Sequence, residues 1–168
     1  FETWHRTKAG ERWPVEVNTS YWPRAGRLFA FLRDISERRQ AAQALQESEA
    51  RFRSTFEQAA VGIAHVAPDG RWLRINRKLC DIVGYTQEEL LAKRFQDISH
   101  PDEVEDHLSR MKQMLTGELS TLTLEKRYLH KNGSTIWINL TVALTRTPDG
   151  APDYFISVIE DISERKCT

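Results

Sequence analysis

KNGSTIWINLTVAL, Lys131–Leu144, carries the reading on which the fold turns. Ile136, Ile138, Leu140, Val142 and Leu144 alternate with Thr135, Trp137, Asn139, Thr141 and Ala143. Apolar residues at a period of two mark a strand with one buried face. Asn132-Gly133, just upstream, is a turn signal that brings an antiparallel neighbour alongside.

The same design occurs earlier in the chain. KAGERWPVEVNTSY (Lys8–Tyr21) keeps its register, with Trp13, Val15, Val17, Thr19 and Tyr21 where the later apolar residues stand. Glu2 falls opposite Glu125, an offset of 123 residues, and the offset becomes 127 beyond a turn that is four residues shorter in the first copy. After that turn come LFAFLR (Leu28–Arg33) and FISVIE (Phe155–Glu160), and each copy closes on Asp-Ile-Ser-Glu-Arg, at 34–38 and 161–165. Each copy reads as strand, tight turn, strand, turn, strand. Phe1 already lies in the first strand of its copy, so a partial repeat precedes a whole one.

Between the copies, Ser36 to about Gln58 lacks Pro and Gly and is rich in good helix formers. Ile35, Ala42, Leu45, Phe52 and Phe56 follow a helical spacing that Arg38 and Glu49 interrupt. Two readings stay open for this segment: a surface helix with one apolar stripe, or a short parallel coiled coil that makes a dimer. VGIAHV (Val61–Val66) and RWLRIN (Arg71–Asn76) flank a Pro-Asp-Gly turn and read as a hairpin. Asn76 can cap a short helix that Gly84 stops, with Leu79, Ile82 and Val83 inward. Thr86 and Glu89 have capping-box spacing. Pro101 opens a longer helix that presents Val104, His107, Leu108, Met111, Met114 and Leu115 on one face and ends at Gly117. Two strands, several helices, then three strands make an α+β domain with its helices on one side of an antiparallel sheet.

Composition excludes several classes of function. Lys+Arg and Asp+Glu both number 24, so net charge points to neither nucleic acid nor an anionic membrane. No apolar run is long enough for a membrane span, and FETWHRTKAGE lacks the apolar region of a signal peptide. Cys80 and Cys167 match no metal or redox spacing, so a reducing cytoplasm is expected. His5, His65, His100, His107 and His130 have no ligand spacing. Asp97, Asp102, Glu103, Glu105 and Asp106 read as a solvated helix start. No P-loop, dinucleotide glycine pattern or nucleophile elbow is present, so no enzyme activity is expected of this chain.

Four segments in order resemble the PAS domain family: ESEARFRSTFEQAAVGI (47–63), NRKLCDIVGYTQEEL (76–90), RYLHKNGSTIWI (127–138) and EDISER (160–165). The resemblance implies a five-stranded antiparallel sheet with short helices on one face and a pocket between them. It divides the chain into the end of a first PAS domain (1–35), a connecting helix (36–58), a complete PAS domain (59–163) and the start of an exit helix (164–168). It also implies a sensory module of a cytoplasmic signalling protein such as a histidine kinase or diguanylate cyclase, relaying a ligand or cofactor state to an output domain in the same polypeptide. A homodimer through the connecting helix and PAS surfaces is implied, with a ligand-free dimerisation scaffold as the alternative. Asp34, Ser36, Asp161 and Ser163, at the junctions of last strand and exit helix, would carry the relay. A carboxylate and a hydroxyl two residues apart also suit the free N–H groups of a helix start.

The expected pocket residues are His65, Asn76, Leu79, Val83, Phe95, His107, Met111, Tyr128, Leu140 and Ile156, together with Ile63, Ile75, Ile138 and Val158. Asn76, His65 and Tyr128 carry the polar groups that could address a ligand. The cofactor is left undetermined: none, a flavin or a small metabolite rank ahead of heme. The axial histidine of heme-binding relatives aligns with Asp106, and His107 lies about 100° further round the helix. In the light-sensing relatives a reactive cysteine stands where LAKRFQD (91–97) has Phe95.

Overall fold

The computed structural model describes residues 1–166. The chain forms two compact units, one over Phe1–Arg53 and the other from Ser54 onward. The division falls inside helix α1, Ser36–Gln58, whose bounds match the helix expected from the sequence. Cys167 and Thr168, the end of the expected exit helix, lie outside the described residues.

The first unit is a three-stranded antiparallel sheet of β1 (Glu2–Arg6), β2 (Arg12–Trp22) and β3 (Arg27–Asp34), followed by the first part of α1. The second unit opens with the hairpin β4 (Gly62–Val66) and β5 (Trp72–Ile75). Helices α2 (Arg77–Val83), α3 (Gln87–Leu91), α4 (Phe95–Ile98) and α5 (Pro101–Leu115) follow. Strands β6 (Thr121–Leu129), β7 (Thr135–Arg146) and β8 (Pro152–Asp161) lead into α6, Ser163–Lys166. The sheet order is β5-β4-β8-β7-β6, all antiparallel.

The sequence repeat is a structural repeat in the same register. Glu2 pairs with Glu16 as Glu125 pairs with Asn139, and Val15 pairs with Asp34 as Ile138 pairs with Asp161. Even an ion pair recurs: Arg39 meets Glu2 at 2.7 Å, and Lys166 meets Glu125 at 2.5 Å.

Local chemistry sets the helix ends. Asn76 accepts from Leu79 N at 3.1 Å to start α2, and Gly84 at φ 77° ends it. A Cβ on Gly84 would also run into the His130 ring. Thr86 and Glu89 form both halves of the capping box of α3. His100 caps α5 ahead of Pro101. Helix α4 was not anticipated; Asp97 holds it by accepting from Arg94 N at 2.8 Å. Of the acidic group, Asp97, Asp102, Glu105 and Asp106 are exposed, as expected of a solvated helix start, and Glu103 is half-buried. Glu103 binds Arg127 through its backbone N (2.7 Å) and its Nε (2.9 Å), and Asp106 pairs with Arg110 at 3.0 Å.

The core of the second unit lies between the sheet and α2–α5, with Ile75, Leu79, Leu90, Ile98, Met114, Ile138, Leu140, Phe155 and Ile159 buried. Alternation on β7 is as expected. On β4 and β8 it is reversed: Ala64, Val66, Phe155, Ser157 and Ile159 face the core, while Ile63, His65, Ile156 and Val158 take the opposite face. A one-residue choice of parity flips a whole strand. Ser157 at the centre of FISVIE made the wrong parity look the more apolar, and the outer face is itself half-buried.

Candidate functional site

Five of the ten expected pocket residues meet around one cavity. Phe95 arrives from α4, His107 and Met111 from α5, Tyr128 from β6 and Leu140 from β7. Val66, Trp72, Val142, Phe155 and Ser157 complete its wall. It leaves about 10 Å³ in which the centre of a water molecule can lie, room for about one water.

The other five are elsewhere. Leu79 and Val83 are fully buried in the core away from the cavity, as is Asn76. All four hydrogen-bonding positions of Asn76 are occupied. Oδ1 accepts from Ile63 N (2.9 Å) and Leu79 N, and Nδ2 donates to Phe56 O (2.8 Å) and Val61 O (3.0 Å). An amide with that inventory filled has nothing left for a ligand. Asn76 staples the end of α1 to β4 and α2. His65 and Ile156 are on the outer face, where the His65 ring stacks on Tyr154 at 4.7 Å and meets the edge of Phe56 at 5.8 Å.

Sequence reasoning missed the group behind the cavity wall. Lys126 of β6 is wholly buried. Its Nζ donates to Ser99 Oγ at 2.9 Å and lies 2.8 Å from His107 Nδ1. The ammonium also sits over the rings of Tyr128 (5.0 Å) and Phe95 (5.4 Å), which stabilises a cation. Among the described residues no carboxylate pairs with it. Burial lowers its pKa to about 8, against a small opposing pull from Glu103. Parity was the available signal, since Leu122, Leu124, Lys126 and Tyr128 share one face of β6.

As an ammonium Lys126 has only donors, so below its pKa of about 8 His107 Nδ1 is the acceptor in this pair. Its proton then sits on Nε2. That atom is buried and has no hydrogen-bond partner among the described residues, and the same holds for Trp72 Nε1. Burial, then the charges of Lys126 and Arg110, push the His107 pKa down to about 3, so the ring stays neutral. Burial alone raises the Tyr128 hydroxyl above its usual range.

The junction residues occupy the expected place. Asp161 Oδ1 accepts from Ser163 N at 2.9 Å, and Ser163 Oγ accepts from Trp137 N at 3.2 Å. Ile162 N donates to Trp137 O at 2.9 Å, and Lys166 lies 4.7 Å from the Trp137 ring centre. In the first copy Pro14 replaces Trp137 and has no N–H, so the Ser36 hydroxyl donates to Asp34 Oδ1 instead, at 2.6 Å. The two Ser36 hydrogen bonds, the hydroxyl's first, hold the Asp34 carboxyl below its usual pKa.

This arrangement of sheet, helices and buried cavity has known counterparts. The family model described as "PAS domain" matches residues 59–164. The chain belongs to the PAS domain family. It is 43% identical over 124 residues to DgcE of Escherichia coli (strain K12), described as a probable diguanylate cyclase. It is 33% identical over 123 residues to the sensor histidine kinase TmoS of Ectopseudomonas mendocina. These matches cover 74% and 73% of this chain but only 11% and 13% of those relatives. In fold it is similar to the PAS domain of an HTR-like protein from Haloarcula marismortui, with TM-score 0.62, 20% identity, and coverage of 74% of this chain and 99% of that one. The PAS unit is thus a sensory module of the type used in signal transduction. Among the described residues no helix is long and apolar enough to cross a membrane, and no His, Cys, Asp or Glu cluster could hold a metal ion.

Proposed function

We propose that this chain is the sensory part of a larger cytoplasmic signalling protein: residues 1–35 end one PAS domain, 36–58 connect, and 59–163 form a second PAS domain. A small ligand in the cavity changes the sheet, and the sheet moves the exit helix. An output domain in the same polypeptide, a kinase or cyclase, then responds, while the sensory part itself has no enzyme activity. One observation carries this reading. Strand β7 holds both ends of the path: Leu140 and Val142 wall the cavity, and Trp137, three residues before Leu140, grips the start of α6. A packed strand transmits a shift between such points because interiors do not deform softly. Asp161 and Ser163 are the relay at the far end, with Asp34 and Ser36 their counterparts after the first unit.

Homodimerisation through α1 belongs to the same reading. Leu45 is 60% exposed and Phe52 42% exposed on its apolar stripe, the pattern of a helix that pairs with its copy. The test replaces Asp161 with Ala in the full-length protein. Stimulus-dependent output should fall at least tenfold while ligand occupancy stays the same. Unchanged regulation would remove the relay from the reading.

A further inference from the structure

We infer that Arg127 is a positioning residue that couples helix α5, which helps wall the cavity, to the exit helix α6, by pairing with Glu103 while lying over the ring of Trp137. This role rests on the reading of α6 as the output end of a sensory module. It gives α6 a second input, from the helix side of the sheet.

Arg127 and Trp137 stand opposite each other on β6 and β7. The backbone of Trp137 is taken up by the start of α6: its N donates to Ser163 Oγ at 3.2 Å and its O accepts from Ile162 N at 2.9 Å. The backbone of Arg127 is taken up by the start of α5: its N donates to Glu103 Oε2 at 2.7 Å and its O accepts from the cap residue His100 N at 3.0 Å. The two backbones thus bond away from each other, and in such an antiparallel pair the side chains come closest. Arg127 uses that proximity. Its guanidinium carbon lies 5.4 Å from the Trp137 ring centre while its Nε stays 2.9 Å from Glu103 Oε1. A planar guanidinium can pair with a carboxylate and stack on a ring together, whereas a lysine ammonium is a point charge. Glu103 stands one helical turn before His107, so the cavity wall and the grip on Arg127 share one side of α5. At the other end Lys166 of α6 lies 4.7 Å from the same ring centre and pairs with Glu125 at 2.5 Å. Ion pairs this exposed are individually weak, so the link biases α6 without fixing it. The first unit isolates what Arg127 adds. There Trp4 stands at the position of Arg127 and Pro14 at that of Trp137, each 123 residues earlier. Arg39, the counterpart of Lys166, lies 5.2 Å from the Trp4 ring centre and pairs with Glu2. The hold on the exit helix by indole and carboxylate recurs, without the arginine that ties it to another helix.

The experiment is native-state hydrogen exchange, read by NMR on the ¹⁵N-labelled 168-residue chain. The reporters are the amides of Trp137 and Ile162, whose bonds close the α6 junction. Leu140 reports the core of the same unit, and Ile35, whose N donates to Pro14 O at 3.3 Å, reports the matching junction of the first unit. Arg127→Lys keeps the charge and gives up the simultaneous pair and stack. It should speed exchange at Trp137 and Ile162 about fivefold or more, with Leu140 and Ile35 unchanged. Glu103→Gln should do the same, and the double variant should exchange no faster than either single one, because both changes break one link. Unchanged rates at Trp137 and Ile162 would overturn the inference. So would equal acceleration at Leu140, the mark of a merely structural role, and so would additive effects of the two substitutions. Glu103→Gln carries the test if Arg127→Lys does not fold. Exchange needs no stimulus, so a failure here removes the Arg127 coupling and leaves the Asp161 relay standing. Accelerated exchange together with regulation unaffected by Asp161→Ala would keep the coupling and remove the relay.

Discussion

Asn76 and His107 are both buried polar residues of the second unit, and their roles diverge because of what their neighbours already supply. Asn76 has four protein partners, so Asn76→Ala leaves two backbone N–H groups and two carbonyls to find others. Buried groups left unmade cost about 1–3 kcal/mol each before relaxation. A loss of about 3 kcal/mol in urea unfolding is expected, without any change at the Trp72 indole. His107 instead makes stability depend on pH. Its folded pKa of about 3 lies below the ordinary 6.5, so between those values the unfolded chain takes up a proton that the folded chain refuses. Stability therefore falls as pH drops below about 6.5. His107→Gln keeps an acceptor for Lys126 but cannot titrate. Between pH 7 and pH 5 the original chain should lose about 2 kcal/mol more than the variant, and equal acid sensitivity would refute the assignment.

At the scale of elements, legibility followed the strength of local signals. The bounds of α1, the Asn76 and Thr86 caps and the Gly84 stop were readable because each depends on groups within a turn of sequence. The Gly84 stop can be tested alone. Its left-handed φ and the His130 ring both oppose a Cβ, so Gly84→Ala should cost about 2 kcal/mol in thermal or urea unfolding. Helix α4 escaped notice because four residues offer no periodicity, and its anchor is Asp97 reaching back to Arg94 N. The parity of β8 escaped because Ile156 and Val158 out-rank Ser157 by hydropathy, and only pairing with β4 and β7 decides which set faces the helices. Lys126 escaped for a related reason: an inward lysine violates the alternation rule, and its partners Ser99 and His107 lie 27 and 19 residues away. Phe95, His107, Met111, Tyr128 and Leu140 line the cavity because their local patterns already turned them inward, whereas Lys126 is marked in the sequence only by its parity on β6.

For the chain as a whole, the two units place opposite demands on their surfaces. In the second, β8 lies between β4 and β7 and its inner face is covered by helices. In the first, β3 occupies the place of β8, yet among the described residues no strand pairs with its outer edge. Tyr21, Trp22, Leu28, Phe29, Phe31 and Leu32 are all exposed on this sheet, Phe31 by 66% and Leu28 by 68%. An open edge flanked by aromatic side chains is a template for pairing with another chain. The buried core of the second unit draws none of its residues from β1–β3. A chain restricted to residues 36–168 should therefore keep the cooperative unfolding transition of the PAS unit, with an unchanged urea midpoint. The 168-residue chain should show concentration-dependent association in sedimentation velocity beyond that of 36–168. Phe31→Lys, a charge on the edge strand, should bring the two into line. Loss of the transition in 36–168 would mean that the PAS unit depends on the first sheet for its fold; equal association of both chains would place self-pairing on α1 or the PAS surface instead of the open edge of β3.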